Sequence, residues 1–366
     1  KPYFVSVANY LAVHTTAYIY RFDVGSLLGD GAIFVLNCTW RTVDELDAML
    51  PDRLKRLLAR RHAAMYVINA SAIAERVGLQ NYINMVLQAV FFRLSGVLEE
   101  GEALRLLKEY ISRMYGRKGA EVVQKNINAV DEATKPENLV RIEIPERWAD
   151  CPDTPPSRTD IDYLRKLPQE ATDPKQNFID AVFEPLHRHE GARAIPVSRV
   201  PPAGELPIGT SKYSKRGQAF KVPSWEHQKC VQCNTCAFTC PHSVIRPYYI
   251  SGDEMASAPE GMETLECKRN HDLRFRIQCS DNDCTGCSLC AEVCPTKCLH
   301  MTERQAEFAK EQPAIEYLTT KVAPKPEMGN RDNMLGVAAL PQYIEFPGAC
   351  PGCGETPYLR LVASLY

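Results

Sequence analysis

The stretch Cys230–Ile245 reads CVQCNTCAFTCPHSVI and places four cysteines at successive offsets of three, three and four, with a proline directly after the last. The same spacing and the same trailing proline return in Cys284–Pro295, which reads CTGCSLCAEVCP. A shorter motif, GACPGCGETPY, holds only Cys350 and Cys353. Ten of the 15 cysteines therefore lie in three tight clusters. This clustering favours metal ligands over the dispersed framework of a small secreted disulfide domain.

The doubled eight-cysteine motif resembles that of bacterial-type ferredoxins, which bind two [4Fe-4S] clusters. Thiolates suit iron–sulfide cores, and one tight loop reaches three corners of a cube, so the fourth ligand has to come from elsewhere. We therefore predict two crossed ligand sets. The first set is Cys230, Cys233, Cys236 and Cys294, and the second set is Cys284, Cys287, Cys290 and Cys240.

Other chemistry is compatible with parts of this pattern. Paired C-x-x-C elements also form zinc sites, but zinc would leave the third and fourth cysteines of each run without a role. Cys350 and Cys353 alone cannot hold a cubane, and by spacing they also fit a redox-active C-x-x-C or half of a zinc ribbon.

The remaining cysteines and the histidines beside the first run have ordinary interpretations. Isolated cysteines are usually small buried hydrophobic residues, and we expect this of Cys38, Cys151, Cys267, Cys279 and Cys298. We expect His227 and His242 at the surface.

The first 140 residues have the pattern of an α/β domain with a mostly parallel sheet. The runs FVSVANYL, GAIFVLN and AAMYVINA are short and apolar, which is typical of buried strands. Helical periodicity follows Thr42, a candidate N-cap, and Pro51 is expected to interrupt it. Three further helices are predicted in succession between residues 79 and 133.

The segment from 145 to 225 carries twelve of the 26 prolines, which predicts an extended connector containing one short helix in QNFIDAVFEPLHRH. After it, VIRPYYI and DLRFRIQ alternate like strands between the two cysteine runs. We expect that insertion to pack the cysteine-rich module onto a larger body.

Composition excludes two classes of partner. A net charge of -2 gives no field that would attract nucleic acid or an anionic membrane. The most apolar helical stretch is interrupted by Gln88, Arg93 and Gly96 and is too short to span a bilayer.

The chain begins at Lys1 without an initiator Met, and we expect it to be a piece of a longer protein.

Jointly, the motifs resemble one family. QKCVQCNTCAFTCPHSVIRP, DCTGCSLCAEVCP and GACPGCGETPY, preceded by VVQKNINAVD and LPIGTSKYSKRG, closely resemble pyruvate:ferredoxin (or flavodoxin) oxidoreductase over essentially the whole chain. The resemblance implies a large homodimer that decarboxylates pyruvate on thiamine diphosphate with Mg²⁺. It also implies single-electron transfer through three [4Fe-4S] clusters to ferredoxin or flavodoxin, and acetyl transfer to coenzyme A.

The same resemblance implies four domains. Residues 1–172 match the later part of a coenzyme A-associated α/β domain, and 173–218 match a small connecting domain. Residues 219–345 match the two-cluster ferredoxin-like α+β domain with its insertion, and 346–366 match the start of a thiamine-binding domain.

Site residues follow from that alignment of motifs. Cys350 and Cys353 match two ligands of a third cluster, whose other two ligands are expected after Tyr366. Glu355 matches a position that contacts thiamine diphosphate.

In the first domain, Asn84 and Asn126 match positions associated with coenzyme A. Tyr82 departs from the family, which usually has an arginine there, and this loses a bidentate anion donor.

Two alternatives to a pyruvate:ferredoxin enzyme remain open. One is an electron-transfer subunit of another 2-oxoacid oxidoreductase, and the other is a pyruvate:NADP oxidoreductase with a downstream flavin reductase. We expect this chain alone to be inactive, and we expect the complete protein in a reducing cytoplasm or in the matrix of an anaerobic organelle.

Overall fold

A computed structural model describes residues 5–80, 82–154, 164, 177–188, 195–201 and 203–365, except for the side chains at 305 and 306. The chain forms two compact units, Lys1–Arg158 and Thr159–Tyr366. Parts of the predicted connector, and the start at residue 173 of the connecting domain that the resemblance implies, lie outside the described residues. No helix in the described ranges is both long enough and apolar enough to cross a bilayer.

The amino-terminal unit contains a four-stranded sheet in the order β1-β2-β3-β4. Its strands are β1 (Ala8–Val13), β2 (Leu28–Asn37), β3 (Ala64–Ile68) and β4 (Leu139–Ile142). The first three strands are parallel to one another, and β4 pairs with β3 in the antiparallel direction. The predicted strands and the mostly parallel sheet are confirmed.

Helices cover this sheet through two apolar clusters. They are α1 (Ala17–Arg21), α2 (Val43–Met49), α3 (Asp52–Arg60), α4 (Ala70–Arg76), α5 (Asn84–Ser95), α6 (Glu100–Tyr115) and α7 (Ala120–Ala133). One cluster centres on Phe34, Leu36 and Trp148, and the other on Val86, Ile111 and Val130. Burial of such side chains is the main stabilising contribution in a domain of this size.

Helix boundaries follow local chemistry. Thr42 caps α2 with a full capping box, since its hydroxyl accepts from the Glu45 N–H while the Glu45 carboxylate accepts from the Thr42 N–H. Pro51 lies between α2 and α3 and fits there because proline lacks an N–H to donate. Both predictions from the sequence are confirmed.

The carboxyl-terminal unit contains two small sheets. Strand β5 (Lys221–Trp225) pairs with β9 (Leu299–Glu303), while β8 (Arg274–Cys279) pairs with both β6 (Ile245–Ile250) and β7 (Leu265–Glu266), and all three pairings are antiparallel. Strands β6 and β8 confirm the strands predicted between the two cysteine runs.

The helices of this unit are mostly short. They are α8 (Glu184–His187), which continues a π-helical turn at Ile179–Phe183, and α9 (Thr235–Thr239), α10 (Gly252–Met255), α11 (Leu289–Glu292), α12 (Arg304–Thr320), α13 (Met334–Ala339) and α14 (Thr356–Leu365). The short helix predicted in the connector is confirmed by α8 and its π-helical turn.

Glu254 anchors the insertion between the cysteine runs to the end of α12. Its carboxylate accepts hydrogen bonds from Lys325 Nζ at 2.9 and 3.0 Å, from the Ser251 N–H at 2.8 Å and from the Ala323 N–H at 2.9 Å. Burial alone would raise the pKa of Glu254, but these donors outweigh it and lower the pKa to about 2.

We expect Glu254→Gln to lower the free energy of unfolding by about 2 kcal/mol at pH 7, because the depressed pKa stabilises the folded state wherever the carboxylate is ionised. This contribution is complete above the unfolded pKa near 4.5 and disappears as pH falls towards 2. Urea unfolding at pH 7 and pH 3 measures it, with Asp253→Asn on the exposed side of α10 as the control. A difference that is equally large at pH 3 would contradict the ionic origin.

Candidate iron–sulfur site and comparison with known proteins

The two long cysteine runs adopt the same backbone path. Each follows a strand and leads into another strand, so the order is β5, first run, β6 and then β8, second run, β9. The strand pairs β5–β9 and β6–β8 link the two repeats.

Left-handed residues recur two, four and thirteen positions after the first cysteine of each run. They are Gln232, Asn234 and Ser243 in the first run and Gly286, Ser288 and Lys297 in the second, with φ between 50° and 71°. Residues other than glycine rarely adopt this left-handed backbone conformation. Its repetition at equivalent positions shows that the two loops have the same backbone shape.

The thiols of the first predicted ligand set lie together. Cys236 interacts electrostatically with Cys230, Cys233 and Cys294, which are the three other members of that set. All four line one small cavity. The structure therefore brings Cys294, from the second run, to the three cysteines of the first.

The second set is grouped in the same way. Cys290 interacts with Cys284, Cys240 and Cys287 of its own set, and also with Cys236 of the first set. The two groups of thiols are therefore neighbours. The crossed ligand assignment stays a prediction, but each predicted set is assembled from both runs.

The surroundings of these thiols fit iron–sulfur clusters. Backbone N–H groups point at ligand sulfurs, as in Gly286 N to Cys284 Sγ at 3.4 Å and Cys298 N to Cys294 Sγ at 3.3 Å. The buried indole N–H of Trp225 lies near Cys230 and makes no hydrogen bond of good geometry within the described ranges. Cluster sulfurs accept hydrogen bonds of this kind.

Among the described residues, no three His, Cys, Asp or Glu side chains are grouped tightly enough to hold a single metal ion.

Burial and mutual repulsion disfavour the thiolate form of these cysteines when no metal is bound. Burial, together with repulsion from neighbouring thiolates, raises the pKa of Cys236 and of Cys290. A metal ion reverses this effect, because a coordinating thiol is deprotonated. Cys230 differs, since hydrogen bonds led by that from the Cys298 side chain lower its pKa to about 6.

The third motif repeats the first turn of the longer runs. Gly352 lies two positions after Cys350 with a φ of 70°, and the Cys353 N–H donates to the Cys350 carbonyl oxygen at 3.1 Å. Hydrogen bonds from the N–H groups of Thr356 and Glu355 lower the pKa of Cys353, which favours the thiolate that binds metals. Cys350 is exposed.

We expect the double variant Cys350→Ser and Cys353→Ser to retain the full iron content of this chain, about eight atoms, because two thiolates cannot hold a third cubane. Iron analysis after anaerobic reconstitution measures this. A loss of about four iron atoms would show that these cysteines bind one of the two predicted clusters.

The third motif packs against the loop that carries a ligand of the second set. His242 Nε2 donates to the Ala349 carbonyl oxygen at 3.0 Å, and the Phe346 N–H donates to the His242 carbonyl oxygen at 3.0 Å. A Cβ atom placed on Gly352 would lie 3.7 Å from the Cβ of Cys287. The turn at Cys350 and Cys353 therefore lies beside the second ligand set.

This packing corrects the expectation for His242. Its side chain is buried rather than at the surface, because the chain around Ala349 covers it. Burial lowers the pKa of His242, which favours the neutral ring, and Nε2 is the donor because the Ala349 carbonyl oxygen can only accept. His227, the other histidine expected at the surface, is partly exposed.

The buried Arg360 of α14 also connects the segment after the third motif to the first cysteine run. Its guanidinium donates to the carbonyl oxygens of Cys240 and Ala237 and to Gln342 Oε1, the last at 2.9 Å. Only 7% of the residue is exposed. Nothing in the sequence indicates this role, because an arginine after the third motif has the same pattern as any helical surface residue.

The residues that the resemblance assigns to coenzyme A and thiamine diphosphate differ in their exposure. Asn84 begins α5 and is exposed, while Asn126 is buried in α7 and donates to the Val122 carbonyl oxygen at 2.8 Å. Tyr82 is 70% exposed. Glu355 is exposed, and its carbonyl oxygen accepts from the Tyr358 N–H at the start of α14. Their assignments to coenzyme A and thiamine diphosphate stay predictions.

The cysteines outside the motifs are largely as expected. Cys38, Cys267, Cys279 and Cys298 are buried, and Cys151 is partly buried. Cys298 goes beyond the expectation, because its Sγ lies 3.4 Å from Cys294 Sγ and its thiol also contacts Cys230.

Comparisons with known sequences agree with this site. A family described as pyruvate ferredoxin/flavodoxin oxidoreductase matches residues 2–135, and a 4Fe-4S double cluster binding domain matches residues 229–297. A domain of unknown function matches residues 165–219. The chain is 36% identical over its whole length to the pyruvate:ferredoxin oxidoreductase of Moorella thermoacetica, of which it covers 30%.

This chain is related to part of the pyruvate:ferredoxin/flavodoxin oxidoreductases. The pyruvate-flavodoxin oxidoreductase of Enterobacter agglomerans is also 36% identical over the whole chain, which covers 30% of that protein. The mitochondrial pyruvate dehydrogenase [NADP(+)] of Euglena gracilis is equally similar, with 36% identity over the whole chain and 19% of the relative covered. The chain thus spans less than a third of the length of these relatives.

Proposed function

We propose that the protein containing this chain oxidises pyruvate to acetyl-coenzyme A and CO₂, and that this chain carries the electrons through [4Fe-4S] clusters to ferredoxin or flavodoxin. The relatives support the reaction, and the two assembled cysteine sets support the electron path. The clusters supply one-electron transfer at low potential, and thiamine diphosphate with Mg²⁺ supplies the decarboxylation chemistry.

The observation that carries the proposal is the contact between the third motif and the second ligand set. His242 donates a hydrogen bond to the Ala349 carbonyl oxygen, and Arg360 donates one to the Cys240 carbonyl oxygen. Because of these contacts, Cys350 and Cys353 lie beside the second set. With Glu355 beside thiamine diphosphate, electrons would enter at Cys350 and Cys353, pass to the second set and leave from the first.

Other parts of the proposal concern the complete protein. Asn84 and Asn126 would contact coenzyme A in the first domain. The four domains would meet at residues 172, 218 and 345. The complete protein would be a homodimer of the cytoplasm or of an anaerobic organelle.

One alternative acceptor has specific support. The relatives in Euglena gracilis and Cryptosporidium parvum are pyruvate dehydrogenases [NADP(+)], with 36% and 35% identity over this whole chain. The same electron path would then deliver electrons to NADP⁺ through a flavin reductase.

The test uses the complete protein. Anaerobic mixtures with pyruvate, coenzyme A and thiamine diphosphate should reduce added ferredoxin or flavodoxin, and omission of coenzyme A or pyruvate should abolish the reduction. Reduction of NADP⁺ without an added carrier would favour the alternative acceptor. If activity required a second polypeptide carrying the thiamine site, the chain would be an electron-transfer subunit.

A further inference from the structure

The two ligand sets differ at one equivalent position of the repeat. Four residues after the last cysteine of each run, a backbone N–H donates to that cysteine's sulfur, from Val244 to Cys240 and from Cys298 to Cys294. The side chains at this position are an apolar valine for the second set and a thiol for the first. At this position the repeat therefore compares a thiol with an apolar side chain, while the second set has a buried thiol at a different position, Cys279, which interacts with Cys284.

The Cys298 thiol touches two ligands that come from different runs. Its Sγ lies 3.4 Å from Cys294 Sγ, and its side chain is close enough to interact with the Cys230 thiol as well. It lines the same cavity as the four cysteines of the first set and is only 5% exposed. A buried thiol against two metal-binding thiolates acts as the hydrogen-bond donor, because they carry the negative charge.

We propose that Cys298 is a positioning and tuning residue that donates its S–H to the ligand sulfurs of the first cluster and raises that cluster's reduction potential. The proposal rests on the proposed iron–sulfur function. Reduction adds one negative charge to the cluster, and a hydrogen bond to its sulfurs stabilises the more negative state more strongly. Cys298 is not itself a ligand in this arrangement.

The position of the first set in the proposed electron path suggests why a higher reduction potential there would matter. The third motif lies beside the second set, so the first set is the later station for electrons that enter at Cys350 and Cys353. A higher potential there draws the electron outward and opposes its return. Val244 gives the second set no donor at this position, although the buried thiol of Cys279 interacts with Cys284 of that set from another position.

The test compares midpoint potentials in the reconstituted full chain by redox titration followed with electron paramagnetic resonance. Cys298→Val copies the valine of the second repeat and is close in volume, while Cys298→Ser keeps a hydroxyl donor. At a fixed solution potential, Cys298→Val should lower the reduced-to-oxidised ratio of one cluster roughly tenfold, which is about 59 mV for one electron. The other cluster should be unchanged, and Cys298→Ser should lie between Cys298→Val and the parent.

Two further variants make the result specific. Cys267→Ala removes a buried thiol outside the motifs and should change neither potential. Val244→Cys introduces the thiol at the equivalent position and should raise the potential of the other cluster.

All variants should retain about eight iron atoms. Unchanged potentials in Cys298→Val would overturn the proposal, and so would a loss of about four iron atoms, which would make Cys298 a ligand. Failure of the parent chain to bind iron would instead refute the iron–sulfur function.

Discussion

Cys294→Ala should lower the iron content of the reconstituted chain from about eight atoms to about four, because it removes the ligand that the second run gives to the first cluster. The double variants then test the crossing. With Cys233→Ala added, about four iron atoms should remain, since both residues belong to one set. With Cys287→Ala added, almost no iron should remain, since the two residues belong to different sets.

Uncrossed ligation predicts the opposite pair of results. If each run bound its own cluster, Cys294 and Cys287 would share a cluster, and their double variant would retain about four iron atoms. Cys267→Ala is the matched control and should retain all of the iron. Iron and acid-labile sulfide are counted in the same samples, so each cluster is measured twice.

Arg360→Met should lower the free energy of unfolding of the carboxyl-terminal unit by about 4 kcal/mol, because it leaves buried acceptors without donors. Those acceptors are the carbonyl oxygens of Cys240 and Ala237 and the side chain of Gln342. Methionine keeps most of the aliphatic volume, so the loss is mainly polar. Urea unfolding of the reconstituted chain followed by circular dichroism measures it.

Arg331→Met is the control, because Arg331 is exposed in the same unit and its replacement should cost less than about 0.5 kcal/mol. Arg360→Lys should fall between the two, since lysine keeps a charge but loses the planar set of donors. Equal stability of Arg360→Met and Arg331→Met would contradict the role assigned to Arg360.

Much of the fold was predictable because local signals agreed with it. The N-cap at Thr42, the break at Pro51 and the apolar runs of β1 to β3 each have a short-range cause. The cysteine spacing likewise predicts two thiol sets, because the coordination chemistry of iron–sulfur clusters constrains it closely.

The sequence could not predict contacts made across long separations. His242 was expected at the surface, because nothing near it in sequence shows that the chain around Ala349 will cover it. Arg360 and Cys298 gain their roles in the same way, from carbonyl oxygens and sulfurs that only the folded chain brings to them. The fold and the ligand spacing can therefore be predicted from the sequence. The roles of His242, Arg360 and Cys298 around the cysteine sets cannot.

Metal and sulfide analysis decides whether the two runs bind two [4Fe-4S] clusters. The chain is reconstituted anaerobically with iron and sulfide in the presence of equimolar zinc. We expect about eight iron and eight sulfide atoms per chain. Stoichiometric zinc without sulfide would show that the two runs form zinc sites instead.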